Sequence, residues 1–213
     1  MTYLLMALGG LAQIWAWRLV AVGYLSIWGA TVPALGACGI AALITGEVAL
    51  SPKVSVPIAI VAGLAAGVVL YAATRGFLVM ATASPYLRRA SQEIYSEQGS
   101  LSTGMALVLS LAIAVPGEEL FWRGLFQGQG VADLGNLGGF LLAWLSYIVV
   151  NAASGMPALI LGGIVGGFVW GALALWTHGV LAALCCHAVW TALMLVRPPV
   201  SGARSRGRSA LRM

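Results

Sequence analysis

Apolar residues dominate this chain, and polar residues interrupt them only as short punctuation. Met1 to Trp17 is apolar but short; it could span a membrane, re-enter it or lie at its surface, and Arg18 ends it. Leu19 to Thr45 is a long apolar stretch closed by Gly46 and Glu47. The turn Ser51-Pro52-Lys53 leads to a second span, Val54 to Thr74, with room to run on to Ala83. Ser84 to Ser100, with Arg88, Arg89, Glu93 and Glu97, is polar and reads as an interfacial helix or loop. Leu101 to Val115 is apolar and runs into Pro116-Gly117-Glu118-Glu119, where the proline suits a kink or the first turn of a new helix. Gly128 to Gly139 reads as a loop. Three more spans follow: Phe140 to Ala153, Pro157 to Trp176 and Val180 to Val196. Crossing the hydrocarbon core takes about 20 apolar residues in a helix. The pattern predicts an all-α polytopic membrane protein, a bundle of about six to seven transmembrane helices. Residues 1–196 form one transmembrane domain in this reading, and residues 197–213 a basic, disordered cytoplasmic tail.

Composition supports that class. The chain of 213 residues is 61% hydrophobic and only 8% charged, where a soluble domain carries roughly 25% charge. The alternating segments of a membrane barrel are missing. The net charge of +5 gathers in the tail, at Arg197, Arg204, Arg206, Arg208 and Arg212. Such a tail reads as a topology signal, able to touch anionic lipid. It does not read as a nucleic-acid module, because no folded module accompanies the charges. With the tail inside and each main segment crossing, Arg18, Arg75, Arg88 and Arg89 also fall inside, and Lys53 is the exception. This orientation requires the Glu-Glu segment to cross fully.

Other features carry packing. Cys38, Cys185 and Cys186 form neither a disulfide framework nor a zinc motif. The N-terminus has no basic n-region or clear cleavage site, so it reads as retained membrane segment. Gly162, Gly163, Gly166, Gly167 and Gly171 set small residues at helix-packing distance.

The candidate chemistry lies at Glu118 and Glu119, followed by Arg123. Ionisable groups in lipid are costly and mark polar cavities or reaction sites. On a helix Glu119 and Arg123 share a face and can pair. Glu118 is rotated by about 100° and is free to face a cavity as a general base. Two polar pairs at the same four-residue spacing follow: Tyr147 with Asn151, and His187 with Thr191. His178, at a helix end, reads as interfacial.

Glu-Glu-x-x-x-Arg, then an aromatic-x-x-x-His helix, then a His-x-x-x-Asn helix, is the signature of the CPBP intramembrane proteases. These are prokaryotic relatives of the CAAX-prenyl endopeptidase, many of them linked to bacteriocin processing or self-immunity. The chain resembles that family over residues 101–196. Glu118, Glu119 and Arg123 match the first motif, Tyr147 the second and His187 the third. Asn151 stands in place of the second-motif histidine, and Thr191 in place of the usual asparagine. The resemblance implies a CPBP/CAAX-protease-like fold in a bacterial inner membrane, acting on a membrane-protein or peptide substrate. It makes Glu118 the base that activates water and pairs Glu119 with Arg123. It gives His187 the carbonyl or the water, and leaves Thr191 one hydrogen bond to donate. Asn151 can orient a water but cannot take its proton near neutral pH.

The family name also implies a divalent metal. Zinc usually wants three protein ligands plus water, and here only His187 and the two glutamates are well placed. Cofactors are otherwise unassigned. Two further readings stand beside the protease. One is a non-catalytic scaffold bound to a stable membrane partner, favoured by Asn151. The other is a small transporter with a proton-carrying glutamate, disfavoured because no inverted repeat is visible. A prenylated substrate does not follow from the family alone. The protease reading requires Glu118 to face a wet pocket between helices, close to the imidazole of His187.

Overall fold

A computed structural model describes residues 1–81 and 101–198. The expected interfacial segment Ser84 to Ser100 and the tail beyond residue 198 lie outside the described residues. The described part is helical: α1 (Thr2–Ala21), α2 (Ile27–Thr45), α3 (Val56–Ala81), α4 (Thr103–Leu109), α5 (Val115–Glu119), α6 (Gln127–Ala152), α7 (Pro157–Thr177) and α8 (Leu181–Val196). Two π-helical turns, Ser110–Ala114 and Leu120–Phe126, join α4, α5 and α6 into one continuous run. Thr2–Ala21, Ile27–Thr45, Val56–Met80, Thr103–Ala152 and Pro157–Thr177 are long and apolar enough to cross a membrane, and Leu181–Val196 is a shorter apolar helix.

Two boundaries differ from the sequence reading. The first break falls after Ala21, not at Arg18. Gly23 takes φ 72° and Ser26 caps α2 by accepting the Gly29 N–H at 3.1 Å. Met1 to Trp17 is therefore most of a full-length helix, and Leu19 to Thr45 is not one stretch. The expected loop Gly128 to Gly139 is helical instead, broken at the single residue Gly135 (φ 72°, ψ 175°). The Gly130 and Gly139 backbones lie against each other. A straight helix would hold residues nine apart about 13 Å from one another. The chain therefore reverses at Gly135, so Thr103–Ala152 is two arms. Five to six of the described helices are thus long and apolar enough to span, in keeping with the expected polytopic helical bundle. Glycine serves here because a left-handed φ costs it nothing.

Small residues draw the helices together. Gly63 and Gly67 of α3 face the α8 backbone at Ala182 and Cys186. On α7, Gly163 faces Asn151, Gly167 faces Tyr147, and Gly171 faces Phe140 and Gln127. This is the packing role expected of the glycine stripe. Gly117, between Pro116 and Glu118, lies directly on the α2 backbone at Leu35 and Gly36. Backbone bonds stitch the ends: Lys53 N–H donates to Thr177 O at 2.8 Å and Val180 N–H to Ala49 O at 3.1 Å. The far end of α3 is tied to α8 by the Tyr71 hydroxyl, which donates to Arg197 O at 2.8 Å.

The Gly117 contact makes a testable case. A methyl group there would meet the Leu35 carbonyl, which is backbone and cannot rotate aside. Gly117→Ala is expected to cost about 1–3 kcal/mol, the usual penalty of overpacking. Gly10→Ala meets open space and is expected to hold or raise stability. Thermal unfolding of both variants in detergent checks the contrast.

Candidate active site

The sequence Ser110 to Gln127 cannot remain a plain α-helix. Pro116 has no N–H to donate and its ring crowds the preceding turn. The preceding turn widens instead, and Val115 N–H reaches back five residues to Ser110 O. The second wide turn closes with Gln127 N–H on Trp122 O. Wide turns of this kind are frequent at functional sites. Between them α5 carries Glu118 and Glu119 into the bundle.

Glu119 is fully buried. Its Oε1 lies 2.8 Å from His187 Nδ1 and 3.4 Å from an Arg123 nitrogen. A carboxylate only accepts, so Nδ1 carries the proton in that bond. The His187 ring stacks on Trp170 at 3.7 Å and 13°. Arg123 donates to Gly167 O at 3.3 Å. Its guanidinium carbon sits 4.5 Å from the Tyr147 ring centre and 5.3 Å from that of Trp170. The glycine stripe of α7 thus does more than pack. It bares carbonyls that hold Arg123 and, at Gly171, the Gln127 amide at 2.9 Å.

Glu118 is oriented differently. The Tyr147 hydroxyl donates to its Oε1 at 2.6 Å. Glu118 lines a cavity of about 30 Å³ whose other walls are Gln13, Ala16 and Trp17 of α1 and Thr31, Ala34 and Leu35 of α2. That volume has room for a water molecule or two. The split expected from the sequence is therefore present, with one glutamate held by arginine and the other at a cavity. The imidazole of His187 bonds the buried Glu119, however, and not Glu118.

The remaining motif residues are further removed. Asn151 is buried, and its amide turns back on its own helix to donate to Tyr147 O at 2.9 Å. Thr191 is half-buried and takes no part in the bonds around Glu119. His178 is exposed at the end of α7 with φ 55°, as an interfacial residue would be. Gln13 was not among the sequence candidates. It is buried, its Oε1 accepts the Trp122 indole N–H at 2.9 Å, and its Nε2 lies 3.6 Å from Cys38 Sγ. Its signal was visible as the lone amide in an apolar segment.

The donor set does not suit a metal. Among the described residues no three His, Cys, Asp or Glu side chains converge as ligands. His187 Nδ1 is taken by Glu119 Oε1 and Glu118 Oε1 by Tyr147; the buried Glu119 Oε2 has no partner among the described residues, but one free carboxylate oxygen does not make a ligand set.

Fold and site define an integral membrane helical bundle built around paired glutamates. Residues 100–193 match the family model described as type II CAAX prenyl endopeptidase Rce1-like. That region spans all three motifs, and there the chain is similar to the CAAX-protease family that the motifs resemble. No curated protein and no solved structure matches the chain.

Removing one member of a buried ion pair strands the other and commonly costs about 3–5 kcal/mol. Arg123→Met is expected to destabilise the protein by that order. Arg123→Lys should recover only part, because an ammonium cannot reproduce the flat guanidinium between Tyr147 and Trp170. Unfolding midpoints in detergent measure both.

Proposed function

We propose that the protein is an intramembrane endopeptidase of the CAAX-protease type, in which Glu118 activates water against a peptide bond. The observation that carries this reading is the Glu118 carboxylate, fixed by the Tyr147 hydroxyl and bordering a water-sized cavity. Tyr147 holds one carboxylate oxygen, which leaves the other to accept a proton from water. The water oxygen bonds the carbonyl carbon as Glu118 takes its proton. Glu118 then returns that proton to the leaving amide nitrogen. Low dielectric around the site strengthens each of these interactions.

Glu119, Arg123 and His187 act as the frame in this mechanism. Their mutual bonds lock α5, α7 and α8 together and hold the backbone of Glu118 in place. The substrate in this reading is a membrane-protein or peptide chain, and the matched family's description as a CAAX prenyl endopeptidase makes a prenylated C-terminal peptide the first one to offer. The working site is a bacterial inner membrane with the basic tail on the cytoplasmic side.

One observation favours a second reading. Among the described residues, Glu118 has a tyrosine beside it but no bonded imidazole, and Asn151 spends its amide on Tyr147 O. A non-catalytic scaffold that keeps the fold and binds a membrane partner would have this geometry.

Purified protein in vesicles, offered a farnesylated CAAX peptide and an unprenylated single-span peptide, separates the two readings. Glu118→Gln is expected to lower cleavage by about 10²-fold or more, as loss of a positioned base does. Asn151→His, adding an imidazole one turn from Tyr147, is expected to raise it. Cleavage equal in wild type and Glu118→Gln sinks the protease reading and leaves the scaffold.

A further inference from the structure

The cavity beside Glu118 has an unusual division of labour. The base comes from the region that matches the family, but every other wall comes from α1 and α2, which lie outside the matched residues 100–193. Attack on a carbonyl places negative charge on its oxygen, and that oxygen needs a donor aimed at it. Most candidates in and beside the cavity are already committed. The Tyr147 hydroxyl donates to Glu118 at 2.6 Å. Thr31 Oγ1 donates to Ile27 O at 2.8 Å. His187 Nδ1 is held by Glu119. Trp17 is half-buried and offers a single indole N–H, while Ala16, Ala34 and Leu35 have no side-chain donor.

Gln13 does. The Trp122 indole can only donate, so the 2.9 Å bond it makes fixes Oε1 as the atom it meets. Nε2 then carries both hydrogens toward the other side. Among the described residues its partner is Cys38 Sγ at 3.6 Å, a weak acceptor. The side chain is 3% exposed, held at both ends and part of the cavity lining; Cys38 takes one amide hydrogen and leaves the other for a guest in the cavity. An amide donor of this kind is what an oxyanion site uses.

We propose that Gln13 is a catalytic residue that donates an N–H to the carbonyl oxygen of the bond under attack, so that α1 completes the active site. The inference rests on the hydrolase reading of Glu118. As the water oxygen bonds the carbon, the carbonyl electron pair moves onto the oxygen held by Gln13, and the water's proton goes to Glu118. When the carbonyl re-forms, the carbon–nitrogen bond breaks and the amine takes that proton. The group missing at Thr191, where the resemblance leads one to expect asparagine, is thereby supplied from another helix.

The test uses the full-length protein in vesicles with the peptide that wild type cleaves and a copy carrying a thioamide at the cleaved bond. Sulfur accepts an N–H weakly, so an enzyme that relies on this donor favours the amide strongly. Gln13→Met is expected to lower kcat by about 10²–10³-fold with KM little changed, and to collapse the amide-to-thioamide rate ratio. Gln13→Glu keeps an acceptor for Trp122 but lacks the N–H, and is expected not to restore the rate. The proposal is overturned if Gln13→Met keeps its kcat, if it loses rate with the ratio unchanged, or if Gln13→Glu recovers wild-type turnover. It is also overturned if Trp17→Phe, which removes the indole N–H that lines the cavity, is the variant that collapses the ratio. Glu118→Gln measured alongside separates the two levels. If Glu118→Gln loses cleavage while Gln13→Met cleaves normally, only the Gln13 assignment falls. If Glu118→Gln is as active as wild type, the hydrolase reading falls and takes the Gln13 assignment with it.

Discussion

A single carboxylate organises this bundle. Glu119 is shut away from solvent and lipid, and it is shared between Arg123 and His187. The arginine is anchored in turn on the α7 backbone at Gly167, and the histidine rides on α8. Three helices are thus tied at one point. A buried ion pair is a poor source of net stability, because desolvation offsets most of the attraction. Its value is that it tolerates few alternatives: shift any of the three helices and a charge is left alone in an apolar medium. The aromatic faces of Tyr147 and Trp170 reinforce this, since each can rest against the guanidinium only when all are in register.

The second glutamate depends on the first. Adjacent residues on a helix point about 100° apart, so fixing Glu119 inward fixes the direction of Glu118. That direction leads to Tyr147 and to the face that α1 and α2 cover. The frame and the reactive group are neighbours in sequence but answer to different partners. This explains why the imidazole expected beside Glu118 serves Glu119 instead. The nearby ring sits flat on Trp170, which fixes the plane in which its nitrogens can reach.

Much of this was legible in the chain. The membrane class followed from composition, and the Glu119–Arg123 pair from four-residue spacing on a helix. The Tyr147–Asn151 face was also marked by spacing, though not which residue would reach Glu118. Other features had weaker signals. Every residue near Gly135 has a place in either a loop or a helix, and only the backbone reversal shows how one glycine divides two helices. The wide turns around Pro116 shift the phase of every later residue, so a plain helical wheel mispoints the faces beyond them. Gln13 was overlooked because one amide among apolar residues looks incidental until the helix carrying it is placed. Its partner, Trp122, is 109 residues away, and no local pattern links the two.

The cavity volume has a consequence for how such a protein meets a chain-like molecule. A space of about 30 Å³ admits water but not a polypeptide backbone. For a peptide, access therefore means parting a seam, and between α2 and α5 the seam includes glycine laid on backbone at Gly39 and Gly117. Among the described residues, α1 is fastened across it chiefly by Gln13 to Trp122 and, near the helix ends, by Tyr3 to Asp133 at 2.9 Å. On the protease reading a substrate backbone would enter by parting that seam, and surrounding acyl chains would be displaced as it did.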